Sequence, residues 1–430
     1  MEGTWGLLGP EFLPKTRRTR TLGLGASVRS FNDLAVPGLG GVWYGKQLLL
    51  ATLGVAVAED ARNRGAKVQN IEVANAIEAL ACWLAFNGNG WSRDARLRGN
   101  NKLQGKDDFS FRRVRQRNFY VTQPMRMATV LPLPALAFVE SDSVRFNGFR
   151  CSVAGREFVE QATNGHRPYN RTVTDHLTCW AQMKDDRVDT NALKQALSPL
   201  NRLPNEAIPL LRERLIQGGN ESREDKERRG NALTWVETLR KNRPEKLTWE
   251  HRPKDISENH WRDLQAGALF FETREAAIAT LDALETHIGN QTSGNSFSFG
   301  PIPGSLGLEI ENLKSKANRF LEFTHADEDA NKFCAECINT NPSSILRSLV
   351  KRDEHVLRLV GDEVKPGPAF RGSVNQPSSE DGEDEDTPQA GSIPLPEGVS
   401  YRMRNLYLLN LDMHGELDAW LKPTANGDDA

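Results

Sequence analysis

One apolar run constrains this chain more than any other feature: Gln47 to Ala58, QLLLATLGVAVA. Lys46 closes it on one side, and Glu59 and Asp60 close it on the other. A helix needs about 20 apolar residues to span a bilayer, and this run has twelve. It reads as a buried core helix, expected over 45–64. A second helix is expected over 71–86 (IEVANAIEALACWLAF), where Val73, Ile77, Leu80 and Leu84 recur at three- and four-residue steps and form one apolar face. The run Asn87-Gly88-Asn89-Gly90 should end it.

The remaining chain supports a mainly α fold with minor β structure, in more than one domain. At 430 residues it is too long for a single ordinary core. Three regions are expected: an N-terminal helical domain over 1–165, a helical middle over 166–290, and a C-terminal domain over 300–430. Helical stretches over 170–217 should break at Pro199, Pro204 and Pro209. Residues 218–230 (GGNESREDKERRG) read as a solvated charged loop, followed by helices over 232–242 and 256–288, the second broken near Gly267. Helical periodicity returns over 308–325 and 326–360. Residues 365–398 are rich in Pro, Gly and Ser and carry Glu380, Asp381, Glu383, Asp384, Glu385 and Asp386. They read as a disordered acidic linker interrupting the C-terminal domain. The stretch from Tyr401 to Leu421 is apolar again and should dock back onto a domain.

Overall charge excludes little. Lys plus Arg is 55 and Asp plus Glu is 57, a net charge of −2. The first thirty residues lack the apolar core of a signal peptide. The five cysteines, an odd count at irregular spacing, make a poor disulfide framework. A reducing, cytoplasmic location with no membrane association is therefore expected, where the Asn-x-Ser/Thr matches at Asn170, Asn220 and Asn290 carry no information. A small basic cluster (Lys15, Arg17, Arg18, Arg20) lies in the Gly- and Pro-rich first forty residues.

The local charge is far from neutral between Arg93 and Arg126. Ten basic residues there face three acidic ones, with Phe109, Phe111, Phe119 and Tyr120 interleaved. Such a stripe can neutralise phosphates and release counterions. Thr122 to Thr129 should open a helix, with Pro124 in its first turn. Val144 to Val153 alternates around an Asn147-Gly148 turn, a hairpin signal, and runs into a helix from Ser152. Residues 109–163 thus resemble a winged-helix module, except that Pro132 and Pro134 stand where a recognition helix is wanted. The resemblance implies DNA as partner, with Arg112, Arg113, Arg115 and Arg117 on phosphates and Arg126, Arg145 and Arg150 as secondary contacts.

Cys334-Ala-Glu-Cys337 has the spacing of half a zinc site, and zinc is the one candidate cofactor. His325, His355 and the pair His176/Cys179 are the nearest sources of further ligands. The alternative is two small side chains buried on one face of a helix. No Walker loop, Gly-x-Ser-x-Gly elbow or His-Glu-x-x-His helix occurs, and the eight histidines are scattered. Trp235, Trp249 and Trp261 read as core anchors. The leading expectation is a non-catalytic, DNA-associated accessory or regulatory protein. Its general look is similar to that of subunits of bacterial multi-protein systems such as phage defence, which implies protein partners. Two alternatives stand beside it. One is a scaffold whose stripe binds an acidic partner or the chain's own linker, and the other a zinc module built on Cys334 and Cys337.

Overall fold

A computed structural model describes residues 20–244, 247–291, 296–372 and 393–422. Lys15, Arg17, Arg18 and the acidic residues 380–386 lie outside the described residues. The protein is mainly α with minor β, 59% helical and 4% strand. Among the described residues it has seventeen α-helices and two small antiparallel sheets. None of these helices is long and apolar enough to cross a membrane. The chain divides into two compact units, one made of Met1–Ser30 and Ala266–Pro377, the other of Phe31–Gln265 and Ser378–Ala430.

The larger unit is built around the apolar run. The Gly45–Asn63 helix is buried on every side from Gly45 to Ala58, as an all-round apolar helix must be in a globular core. The Asn70–Asn89 helix packs along it so closely that a Cβ on Gly54 would stand 2.5 Å from the Ala74 Cβ. It ends at Gly90, whose left-handed backbone lets its N–H reach the Phe86 carbonyl. Val153–Thr163, Val173–Ala181 and the 3₁₀ turn Met125–Thr129 also pack on the central helix.

The charged run after Gly218 is only partly a loop, contrary to the sequence reading. A helix starts at Arg223 and runs to Asn242. The Ser222 hydroxyl accepts the Asp225 N–H at 3.0 Å, and Arg223–Glu227 and Arg228–Glu224 pair at i,i+4. A cap and two such pairs make a charged segment helical even without an apolar face. Its Arg229 is fully buried, forked onto Glu221 and bonded to the Leu215 and Pro37 carbonyls. Pro209 does not break a helix either. It sits in the first turn of Ala207–Gln217, where no intrahelical N–H is required. Glu258–Gly289 continues through Gly267 without interruption. One glycine costs a helix only about 1 kcal/mol against alanine, and buried Ala266, Ala268 and Phe270 surround it.

The Tyr401–Met413 helix packs against Arg223–Asn242, as an apolar C-terminal segment should. Residues at both ends of the expected linker are ordered: Glu363–Pro366 is a strand, and Pro394 and Leu395 are buried. Trp249 donates its indole N–H to the Glu397 carbonyl at 2.9 Å. Trp235 and Trp261 are buried and meet edge to face, as core anchors do.

The smaller unit sets the helices Gly304–Glu322, Glu328–Cys337 and Pro342–Asp353 beside a three-stranded sheet. Leu357–Val360 and Glu363–Pro366 form its hairpin, turned at Gly361 with φ +62°. Arg20 is buried in this unit against Asp282 (2.5 Å), Glu285 (2.8 Å) and Asp353 (3.4 Å). That member of the N-terminal basic cluster is therefore an internal ion-pair partner.

Candidate functional site

The basic stripe separates into two sets of side chains. Arg96 is buried, pairing with Asp94 at 2.9 Å and Asp418 at 2.6 Å. Arg115 is half-buried and takes Glu72 at 2.7 Å. Arg126 donates Nε to Asn75 at 2.5 Å and lies over the Phe146 ring, and burial draws its pKa down. These arginines hold the fold together.

Arg112, Arg113 and Arg117 are exposed, and among the described residues none of the three is in an ion pair. They sit on and just after the short helix Phe111–Val114, whose first and last side chains are buried. Phe111 meets Trp180 edge to face at 5.1 Å, and the Trp180 indole donates to the Phe109 carbonyl at 3.0 Å. Arg145 is exposed, and Arg150 is exposed beside Asp142 at 3.3 Å. The interleaved aromatics all face inward: Phe109, Phe111, Phe119 and Tyr120 are buried. They offer no platform on which bases could stack.

The segment expected to form a winged helix is made of shorter pieces. No helix between residues 109 and 152 exceeds five residues. The expected hairpin is replaced by two two-residue strands, Val139–Glu140 and Arg150–Cys151, with a 3₁₀ turn at Phe146–Gly148. The reason lies in competing hydrogen bonds. Asn70 donates to the Phe146 and Phe149 carbonyls at 3.0 and 2.8 Å, and the Asn147 side chain accepts the Ile71 N–H at 3.0 Å. The start of the Asn70–Asn89 helix thus takes the groups that a strand ladder would need. The helix after Ser152 forms as expected, with the Ser152 hydroxyl accepting the Gly155 N–H at 2.9 Å. A Cβ at Gly155 would stand 2.0 Å from the Phe138 carbonyl oxygen, so only glycine fits there.

Cys334 and Cys337 lie on one face of Glu328–Cys337, both buried with free thiols. Burial pushes the Cys334 thiol up to about 12 and raises Cys337 as well. The Cys334 sulfur is hydrogen-bonded to the Thr273 hydroxyl. The His325 ring accepts the Asp327 N–H, and His176 is buried against the Arg187 carbonyl. Among the described residues no three His, Cys, Asp or Glu side chains gather where a metal could be held.

Two buried, perturbed charges lie elsewhere in the larger unit, around a cavity of about 430 Å³. Lys46, in the first turn of the central helix, is fully buried and donates to the Ala196 carbonyl. Burial pulls its ammonium down to about 8, against the attraction of Asp412. Asp412 is buried too, accepts the Gly45 N–H at 2.8 Å, and is pushed by burial up to about 6. Arg96 and Asp418 form one wall, and Arg202 stands exposed at the mouth. His166 is lowered by partial burial and by the charge of Lys46.

Comparison with family models, curated proteins and solved structures finds no match to this chain.

Sequence reasoning overlooked this cavity. Lys46 reads there only as the charge that ends an apolar run. Asp412 lies unremarked within the apolar stretch from Tyr401 to Leu421. An ionisable residue that helical geometry carries into a buried stretch was the available signal.

Proposed function

We propose that this chain is a non-catalytic accessory protein that associates with DNA through the phosphate backbone, held by Arg112, Arg113 and Arg117. One observation carries the reading. Three exposed guanidiniums, none in an ion pair among the described residues, lie within six residues on a turn pinned to the core by Phe111 and Val114. Pre-positioned guanidiniums suit phosphate oxygens, which they can engage with two parallel bonds. Exposed Lys102 extends the positive surface, and half-buried Lys106 adds its charge nearby while donating to the Phe119 carbonyl at 2.8 Å. Burial first, and then the charges of Arg113 and Lys102, lower the Lys106 pKa, so these cations share one neighbourhood. The inward aromatics, and the absence of any helix longer than five residues between 109 and 152, argue for contacts that position the chain on the backbone and carry little base specificity.

The test is fluorescence anisotropy with duplex DNA across a salt series. Wild type should show a steep log–log slope, and Arg112/Arg113/Arg117→Ala should flatten it by about one unit per lost phosphate contact. Arg115→Ala should leave the slope nearly unchanged, because Glu72 already occupies that guanidinium. An absence of binding at low salt would overturn the reading. The same cations would then be assigned to an acidic protein partner, the chain's own 380–386 segment included.

A further inference from the structure

The cavity around Lys46 is a separate feature from the exposed arginines, and the DNA reading makes no use of it. Its lining includes the ammonium of Lys46, a residue that is 2% exposed. Among the described residues the ammonium has one hydrogen-bond partner, the neutral Ala196 carbonyl, and no ion pair. A buried lysine that lacks a contacting counter-charge is rarely kept for packing. Asp412 is near enough to be felt, but its carboxylate is engaged by the Gly45 N–H at the start of the central helix. The first turn of that nineteen-residue helix adds the positive end of its dipole on the same side. Arg96 and Arg202 bring two further cations to the lining, and with Lys46 they outnumber the two carboxylates there, Asp412 and Asp418. The volume, about 430 Å³, is that of a metabolite site and exceeds what an isolated ion or water cluster requires.

We infer that this cavity binds a small organic anion, with the ligand's carboxylate or phosphate group against the Lys46 ammonium and Arg202 closing over it at the mouth. Lys46 supplies the buried counter-charge and is the affinity determinant. Arg202 is held ready by its bond to the Asn205 side chain, and Gly415 leaves room for it, since a Cβ there would stand 2.9 Å from its Nη1. The Arg96 guanidinium is already bonded to Asp94, Asp418 and the Leu200 carbonyl, so it lines the cavity as a fixed charge.

Isothermal titration calorimetry with inorganic pyrophosphate and with citrate, on the full chain at constant ionic strength, tests this. The background is Arg112/Arg113/Arg117→Ala, so that the three exposed arginines of the stripe contribute nothing. Saturable binding is expected, and the anion that binds more tightly identifies the phosphate or the carboxylate source. Lys46→Met should weaken it by about tenfold or more, and Arg202→Ala by a smaller factor. Arg202 is exposed, so its variant folds and keeps the test decisive should Lys46→Met fail to fold. If neither anion binds saturably, or if binding is indifferent to both substitutions, the cavity is not an anion site. Loss of DNA binding in the triple-arginine variant alongside retained anion binding separates this inference from the functional reading above.

Discussion

The two cationic regions of the larger unit treat their charges in opposite ways. The stripe between Arg93 and Arg126 is conspicuous in the sequence, yet Arg96, Arg115 and Arg126 are committed to Asp94, Asp418, Glu72 and Asn75. Only part of it remains free to meet a partner. The cavity holds one buried lysine that carries no ion pair among the described residues, and it leaves no mark in the composition. Charge density along the chain therefore measures cations present, whereas function depends on cations left uncompensated. An exposed arginine costs little to keep, because water solvates it. A buried lysine costs several kcal/mol unless something compensates it.

The contrast can be broken most forcefully at Arg96. Arg96→Ala removes a buried guanidinium from two carboxylates and should cost about 3 kcal/mol of stability, seen as a lower urea midpoint. A cost as small as that of Arg112→Ala would erase the distinction between committed and free arginines.

The second test concerns pH. Lys46 releases its proton at about 8 in the folded chain, against an ordinary 10.5. Between those values the unfolded chain holds more protons, so stability rises with pH. The penalty for the buried ammonium is complete below pH 8 and relieved above 10.5. Asp412 runs the other way, with a folded pKa of about 6 against 3.8. Its penalty is absent below pH 3.8 and complete above 6. Both are carried in full only between pH 6 and 8. Lys46→Met should therefore stabilise the protein at pH 7 by about 2 kcal/mol, less than the full linkage value because the Ala196 bond is lost. That gain should vanish as pH rises through 8 to 10.5. A destabilised Lys46→Met at pH 7 would make the lysine a structural anchor instead.

At the exposed end, each of Arg112→Ala, Arg113→Ala and Arg117→Ala should change stability by less than about 0.5 kcal/mol. A thermal unfolding series reads this, and a larger loss in any of them would show that arginine to be committed as well. The smallest effect is expected at Cys334 and Cys337. Chelator treatment should leave the unfolding midpoint where it was, and elemental analysis should find no stoichiometric zinc. A stoichiometric metal would restore the zinc-module alternative.

Much of the fold was legible in the residues. The apolar run and its flanking charges specified the central helix to within a residue or two. The 71–86 periodicity and the Asn-Gly stop specified its neighbour. Three misreadings share one cause: Pro209, Gly267 and the 223–230 charges were judged by local propensity. A first-turn proline, a packed glycine and a capped run of i,i+4 pairs are all helical once their surroundings are counted. The hairpin at Asn147-Gly148 was misread for a related reason. Asn70 and Ile71, more than seventy residues away in sequence, compete for its hydrogen-bonding groups.

By itself the sequence determined the helical class, the buried core helix, the caps at Ser152 and Gly90, and the count of charges available. These follow from interactions between residues a few positions apart, or from the cost of exposing an apolar run. Which charges face water was decided only by the tertiary structure. Arg96 meets Asp418, and Lys46 shares a cavity with Asp412, across more than three hundred residues of chain. Burial and pairing depend on surroundings in space, and those exist only once the distant segments have come together.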